Sequence, residues 1–200
     1  LQAERVDFRN CVMYNWGSGG CYGGPGGGLI NMVNNYYKAG PGTKNKTRVT
    51  QVSLADSGNS TSDNPYPGYC SRYYINGNYV TAADSPENYD WQGVIYDGGL
   101  STINGEYYLA DASHHYGDNE TYVKNSSGVD CISVKMDKAI DAGEVTTHKA
   151  ETAYEKVLEF VGASKSRDDV DARYVEETKT GTAKYKGSVT NTAGIIDTQD

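Results

Sequence analysis

The chain has 200 residues, a formal net charge of −8 and only 37% hydrophobic residues, with Gly (24) and Tyr (18) abundant and Phe (2) scarce. That length suits one domain with a real core, its apolar surface supplied largely by tyrosine, which keeps a hydroxyl available for water or sugar. No run of about 18 apolar residues is present, so no membrane-spanning helix is expected, and the acidic balance without a basic cluster argues against nucleic acid.

In chain order, the first readable unit is a repeat. Val6, Phe8, Asn10 and Val12 match Ile30, Met32, Asn34 and Tyr36 at a shift of 24 residues. A weaker third copy follows at Tyr73–Val80, where Gly77-Asn78 replaces Asn34-Asn35. Each copy alternates apolar and polar residues, the pattern of a strand with one buried face. One such strand cannot bury its inner face alone, so repeats of this length predict the coils of a parallel β-helix. Asn after each strand suits a corner, because it tolerates left-handed φ and bonds neighbouring backbone. Stacked coils would set Val6, Phe8, Ile30 and Met32 in one core, with Asn10 near Asn34.

Between the copies, Gly17–Gly20 and Gly23–Gly28 read as tight turns; no Lys-Ser/Thr follows to make a phosphate loop. Residues 44–68 form a long polar loop whose Asn64-Pro-Tyr-Pro-Gly68 is a strong turn signal. Residues 81–145 carry many turn signals between short runs, of which Val129–Met136 is one strand-like stretch. The tail is helical: Ala153, Tyr154, Val157, Leu158 and Val161 share a face, Gly162 ends that helix, and Ser166–Asp169 resembles a capping box for a second, shorter one reaching about Lys179. The expected organisation is therefore coils over 1–145 and a helical cap and tail over 146–200, the helices sealing the open end of the stack.

At this point Asn15-Trp-Gly17, Cys21-Tyr-Gly-Gly24, Val33–Lys38 and Gly40–Thr43 carry a resemblance, which resumes at Tyr74–Val80, Asp90–Val94, Ala153–Val157, Arg167–Arg173 and Gly194–Gln199. In order and spacing they resemble the C-terminal half of bacterial pectate lyases of the first polysaccharide-lyase family. The resemblance implies a mainly β fold, a partial right-handed parallel β-helix with long loops and C-terminal capping helices. It also implies a secreted or cell-surface protein acting on the acidic plant polysaccharide pectate. In that family an arginine removes the proton α to a uronate carboxylate, and calcium bridges enzyme and substrate, so that the glycosidic oxygen leaves by β-elimination. The family's arginine motif and most of its calcium carboxylates fall upstream of the segment matching Val6–Trp16. A chain opening at Leu1 inside a strand thus reads as part of a longer exported protein.

The candidate residues follow. Arg5 and Arg9 are the arginines nearest the missing motif, although the alternation turns Arg9 outward on its strand. Tyr14, Trp16 and Tyr22, beside glycine-rich turns, either present flat faces to a sugar or pack under the loop with a satisfied polar tip. His114 and His115, near Asp111, Asp118 and Glu120, read as a loop pair, since on a strand they would point to opposite faces and not share a metal; Asp84, Glu87, Asp90 and Asp97 could offer oxygen ligands but lack calcium-loop spacing and read as solvated loop carboxylates. Cys11, Cys21, Cys70 and Cys131 lack zinc spacing and are either disulfide-bonded or small buried thiols. Asn45, Asn59, Asn119 and Asn125 match the glycosylation acceptor pattern. Two other readings stay open. One is a non-catalytic carbohydrate-binding or surface-interaction protein; the other is a filament subunit associating with itself, or with an upstream segment, at the open coil edge.

Overall fold

The computed structural model describes residues 4–17, 22–23, 26–55, 62, 68–96, 102–103, 107–109, 116 and 122–184. It is mainly β. The first nine strands are β1 (Arg5–Arg9), β2 (Val12–Tyr14), β3 (Tyr22–Gly23), β4 (Leu29–Val33), β5 (Tyr36–Lys38), β6 (Thr50–Val52), β7 (Arg72–Asn76), β8 (Tyr79–Val80) and β9 (Val94–Tyr96). They pair with a period of three, giving parallel sheets ordered β1-β4-β7, β2-β5-β8 and β3-β6-β9.

The register follows the repeat. Val6 pairs Ile30 and Ile30 pairs Tyr73; Phe8 pairs Met32 and Met32 pairs Ile75. These residues share one core, joined by Tyr37, Val49, Val52 and Val80, all fully buried. The corners behave as the asparagines predict. Asn10 and Asn34 adopt φ of 52° and 51°, and Asn10 Nδ2 donates to Asn34 O at 3.0 Å. The third corner has Gly77 at φ 74°, and a Cβ there would lie 1.9 Å from Asn34 Oδ1. Glycine therefore replaces asparagine because the asparagine below already fills the space.

One residue further on, the side chains form a ladder. Asn35 Oδ1 accepts from Cys11 N, and Asn78 Oδ1 accepts from Asn35 N, both at 3.0 Å. Their amide groups also donate to Phe8 O and Met32 O. Asp90 closes the ladder, accepting from Asn78 N at 2.9 Å, Asn78 Nδ2 at 2.8 Å and Gly77 N at 3.0 Å. Buried amides are thus satisfied within the stack rather than by water.

Beyond β9 the middle of the chain holds a small antiparallel sheet, which the sequence did not announce. It comprises β10 (Thr102–Ile103), β11 (Tyr107–Leu109), β12 (Tyr122–Lys124) and β13 (Asp130–Ser133), ordered β10-β11-β13-β12. The expected strand over Val129–Met136 is β13. Just past it, Tyr73 N donates to Val134 O and Met136 N to Tyr73 O, both at 2.7 Å, so this segment covers the free edge of β7.

The helices are α1 (Ala150–Phe160) and α2 (Asp169–Thr180). Gly162 (φ 72°) follows the first, as expected, but the second begins at Asp168, whose carboxylate accepts from Asp171 N at 2.8 Å, rather than at a Ser166 box. It is also no shorter than the first. The helices lie against the outward side of β2 and β5 rather than across an end of the parallel sheets. The reason is aromatic: Tyr36 and Tyr79 stack at 4.8 Å on that outward side, and Tyr154 of α1 stacks on Tyr36 at 4.3 Å. An outward tyrosine row needs a cover. Leu158 is buried in this contact, whereas Val161 is 45% exposed, contrary to its expected place on the buried face.

Candidate functional site

The candidate arginines separate cleanly. Arg5 is exposed on an edge strand. Arg9 is held on the outward side of β1 by two hydrogen bonds to the Asp7 carboxylate, at 2.9 and 2.8 Å, and by a third to Thr147 Oγ1 at 2.9 Å. The hydrogen bond from Arg9 holds the Asp7 carboxyl below its ordinary range, and Asp7 in turn raises the guanidinium. Asp7 also accepts from Asn31 Nδ2, and Asn31 is pinned by reciprocal bonds with the Ile140 backbone. Arg9 therefore ties residues 137–148 to the sheet and stays protonated.

Tyr14 and Trp16 occupy different surroundings. Tyr14 points toward α1 and α2, lining a small apolar cleft with Val157, Leu158, Tyr174 and Val175, and its hydroxyl donates to Thr182 O. Trp16 packs edge-on against buried Tyr37 at 6.0 Å and donates its indole N–H to Asn45 O at 3.1 Å. Both are half-buried with the polar tip satisfied. The Tyr22 side chain, Cys21, Asn59, Asn119, Asp97, His114 and His115 lie outside the described residues, as does most of the 44–68 loop from 56 onward. Cys11 and Cys131 are free thiols, and Cys70 is fully buried. Burial pushes the Cys11 thiol up, a packing thiol rather than a nucleophile. Asn45 is exposed, while Asn125 holds a turn by accepting from Ser127 N and Val129 N.

Two open hollows lie elsewhere, beside β6 and β9. A hollow of about 230 Å³ is lined by Asn45, Thr47, Arg48, Gln92, Gly93 and Ile95. A second, of about 350 Å³, shares Thr47 and Gln92 and adds Asp84, Ser85, Glu87 and Tyr89. The floor is rigid: Val49 N donates to Gly93 O at 2.8 Å, and a Cβ on Gly93 would meet Val49 Cγ2 at 2.5 Å. Sequence reading missed Arg48 and Gln92. The signal was present as Lys44-Asn-Lys-Thr-Arg48, three cations at alternate positions directly before a strand.

The described residues form no metal-ligand set by themselves. Asp90, one of the carboxylates weighed for calcium, is committed to the ladder, and among the described residues no three His, Cys, Asp or Glu side chains gather to hold an ion. Nor is any described helix long and apolar enough to cross a membrane.

Three curated fungal proteins named "Probable pectate lyase C" are similar to this chain. Those of Aspergillus flavus and Aspergillus oryzae are 28% identical over 174 residues, and that of Aspergillus terreus is 28% identical over 176. Each match covers 86% of this chain and 31% of the relative, so the chain spans about a third of their length. No family profile and no solved structure matches. The three matches support a pectate lyase-like relationship; the relatives are fungal, whereas the motifs resemble bacterial enzymes.

Proposed function

We propose that this chain acts on acidic polysaccharide as a pectate lyase-like protein, its three parallel sheets being the walls of a right-handed β-helix. The observation that carries this reading is the agreement of similarity and architecture: relatives named as pectate lyases match 86% of the chain, and its described strands pair in three parallel sheets with a common period. In this reading residues 1–145 supply successive coils and a wall of the substrate groove, and residues 146–200 supply the helices that cover one side. The protein would be secreted, where such a substrate is met.

The chemistry of the family is β-elimination, with calcium spreading the charge of the enolate; no step is assigned to calcium on the residues described, which form no ligand set. What this chain's residues do is hold and orient the polymer. Arg9, bonded to Asp7 and Thr147, is not placed to take a proton, which favours binding without cleavage by residues 1–200 alone.

The experiment offers polygalacturonate to purified residues 1–200 with calcium or with chelator, following both binding and the ultraviolet absorbance of the new double bond. Binding is expected, with product reduced by about 10²–10⁴-fold, as for an enzyme lacking its base. Neither binding nor product would overturn the reading. Robust calcium-dependent product would keep the lyase reading and show that a base resides in this chain.

A further inference from the structure

Against a net charge of −8, the stretch 44–48 concentrates three cations. Its backbone is fixed on several sides: Lys44 N donates to Gly17 O, Arg48 N to Asn45 O, and Asn45 O also accepts from Trp16 Nε1. Arg48 is therefore presented to its hollow by a braced segment rather than a wandering loop. The two hollows beside β6 and β9 share Thr47 and Gln92, yet they differ in sign. One is lined by Arg48, a cation whose Nε is buried; the other is lined by the acidic Asp84 and Glu87.

We propose that this two-part cleft is a subsite for an acidic glycan in which a free carboxylate is followed by an uncharged sugar. The inference rests on the polysaccharide reading above and adds to it the charge pattern that is recognised. A guanidinium carries five N–H donors in a planar fork, which matches a carboxylate while leaving donors for protein partners. Asn45, Thr47 and Gln92 line the cleft with amide and hydroxyl side chains, and Gln92 Oε1 accepts from Asp90 N at 3.1 Å. Ile95, 43% exposed, gives the C–H face of a sugar ring an apolar surface. In the second half, Asp84 and Glu87 repel a second carboxylate, so an esterified or neutral sugar is preferred there. The larger hollow alone is within the range of about 300–1,000 Å³ usual for ligand clefts.

The test measures affinity of the 200-residue chain by titration calorimetry for three polymers: fully de-esterified polygalacturonate, partly methyl-esterified polygalacturonate and neutral galactan. The partly esterified polymer should bind tightest and the galactan weakest. Arg48→Gln should weaken binding of the partly esterified polymer roughly tenfold or more, with Arg48→Lys intermediate because it keeps charge and loses the fork. The double variant Asp84→Asn/Glu87→Gln should raise affinity for the de-esterified polymer and erase the preference. Thermal melting of each variant like that of the parent confirms that folding is intact. Unchanged affinity in Arg48→Gln, or an unchanged preference in the double variant, overturns this inference while the polysaccharide reading stands. Failure of the parent chain to bind any of the three overturns both.

Discussion

Gly77 shows how one residue carries the geometry of the stack. The corners below it use asparagine at left-handed φ, and asparagine would suit the same φ here. Space forbids it, since Asn34 Oδ1 sits 1.9 Å from where a Cβ would be. Gly77→Ala should therefore lower stability by more than about 1 kcal/mol, the range in which backbone strain alone acts. Gly128→Ala is the matched control, with φ 76° and nothing within 4 Å. Thermal melts showing equal losses at the two sites would mean that the asparagine below moves aside freely.

Tyr36 makes a second residue-scale case. Burial, with smaller contributions from Tyr79 and Tyr154, pushes its phenol up to about 12. In the unfolded chain the group titrates near 10.0. The folded form thus holds its proton more tightly, and this contribution to stability is complete below about pH 10. It is lost as pH rises from there through about 12. Tyr36→Phe keeps the stacked ring but removes the proton, so the variant should lose less stability than the parent between pH 10 and 12 in denaturant titrations. Parallel losses in the two proteins would place the stack in solvent.

At the scale of elements, the helix pair is attached by its contact with the outward tyrosine row, not by closing an end. Lys38 strengthens that contact, donating to Tyr154 Oη at 3.0 Å and to Lys179 O at 2.9 Å, near the C-terminal end of α2 where a cation is favoured. Leu158, 5% exposed, fills the interface. Leu158→Ala should cost roughly 2–5 kcal/mol, the usual range for a buried leucine. An unchanged melting temperature would mean that the helices contribute nothing to the cooperative unit. The alternation in the coils and the apolar stripe of α1 were legible because each has a fixed period. The docking side of the helices was not, because an amphipathic stripe names a buried face without naming its partner. Val161 illustrates this: it lies past the last helical residue, so the stripe no longer governs it.

For the whole molecule, legibility follows the range of the interaction. The pairing Val6–Ile30–Tyr73 was readable because like residues recur along the chain. The cleft beside β6 and β9 was not, because Arg48 and Gln92 come from separate loops brought together only by sheet pairing. The asparagine ladder has the same non-local origin, and it sets how the molecule should come apart. Strands in a parallel sheet couple mainly to their neighbours, so damage at one rung weakens the strands on either side before distant ones. Asn35 is the rung that holds the first strands to the next, fully buried and bonded to Cys11 N, Phe8 O and Asn78. Asn35→Ala should remove the hydrogen-exchange protection of residues 5–14 first, while amides of β7, secured by 134–136 on their other edge, keep theirs. The ladder below Asp90 then acts as a zipper whose first strands can open alone. Protection lost equally in β1 and β7 would show instead that the sheets and the helices beside them unfold as one unit.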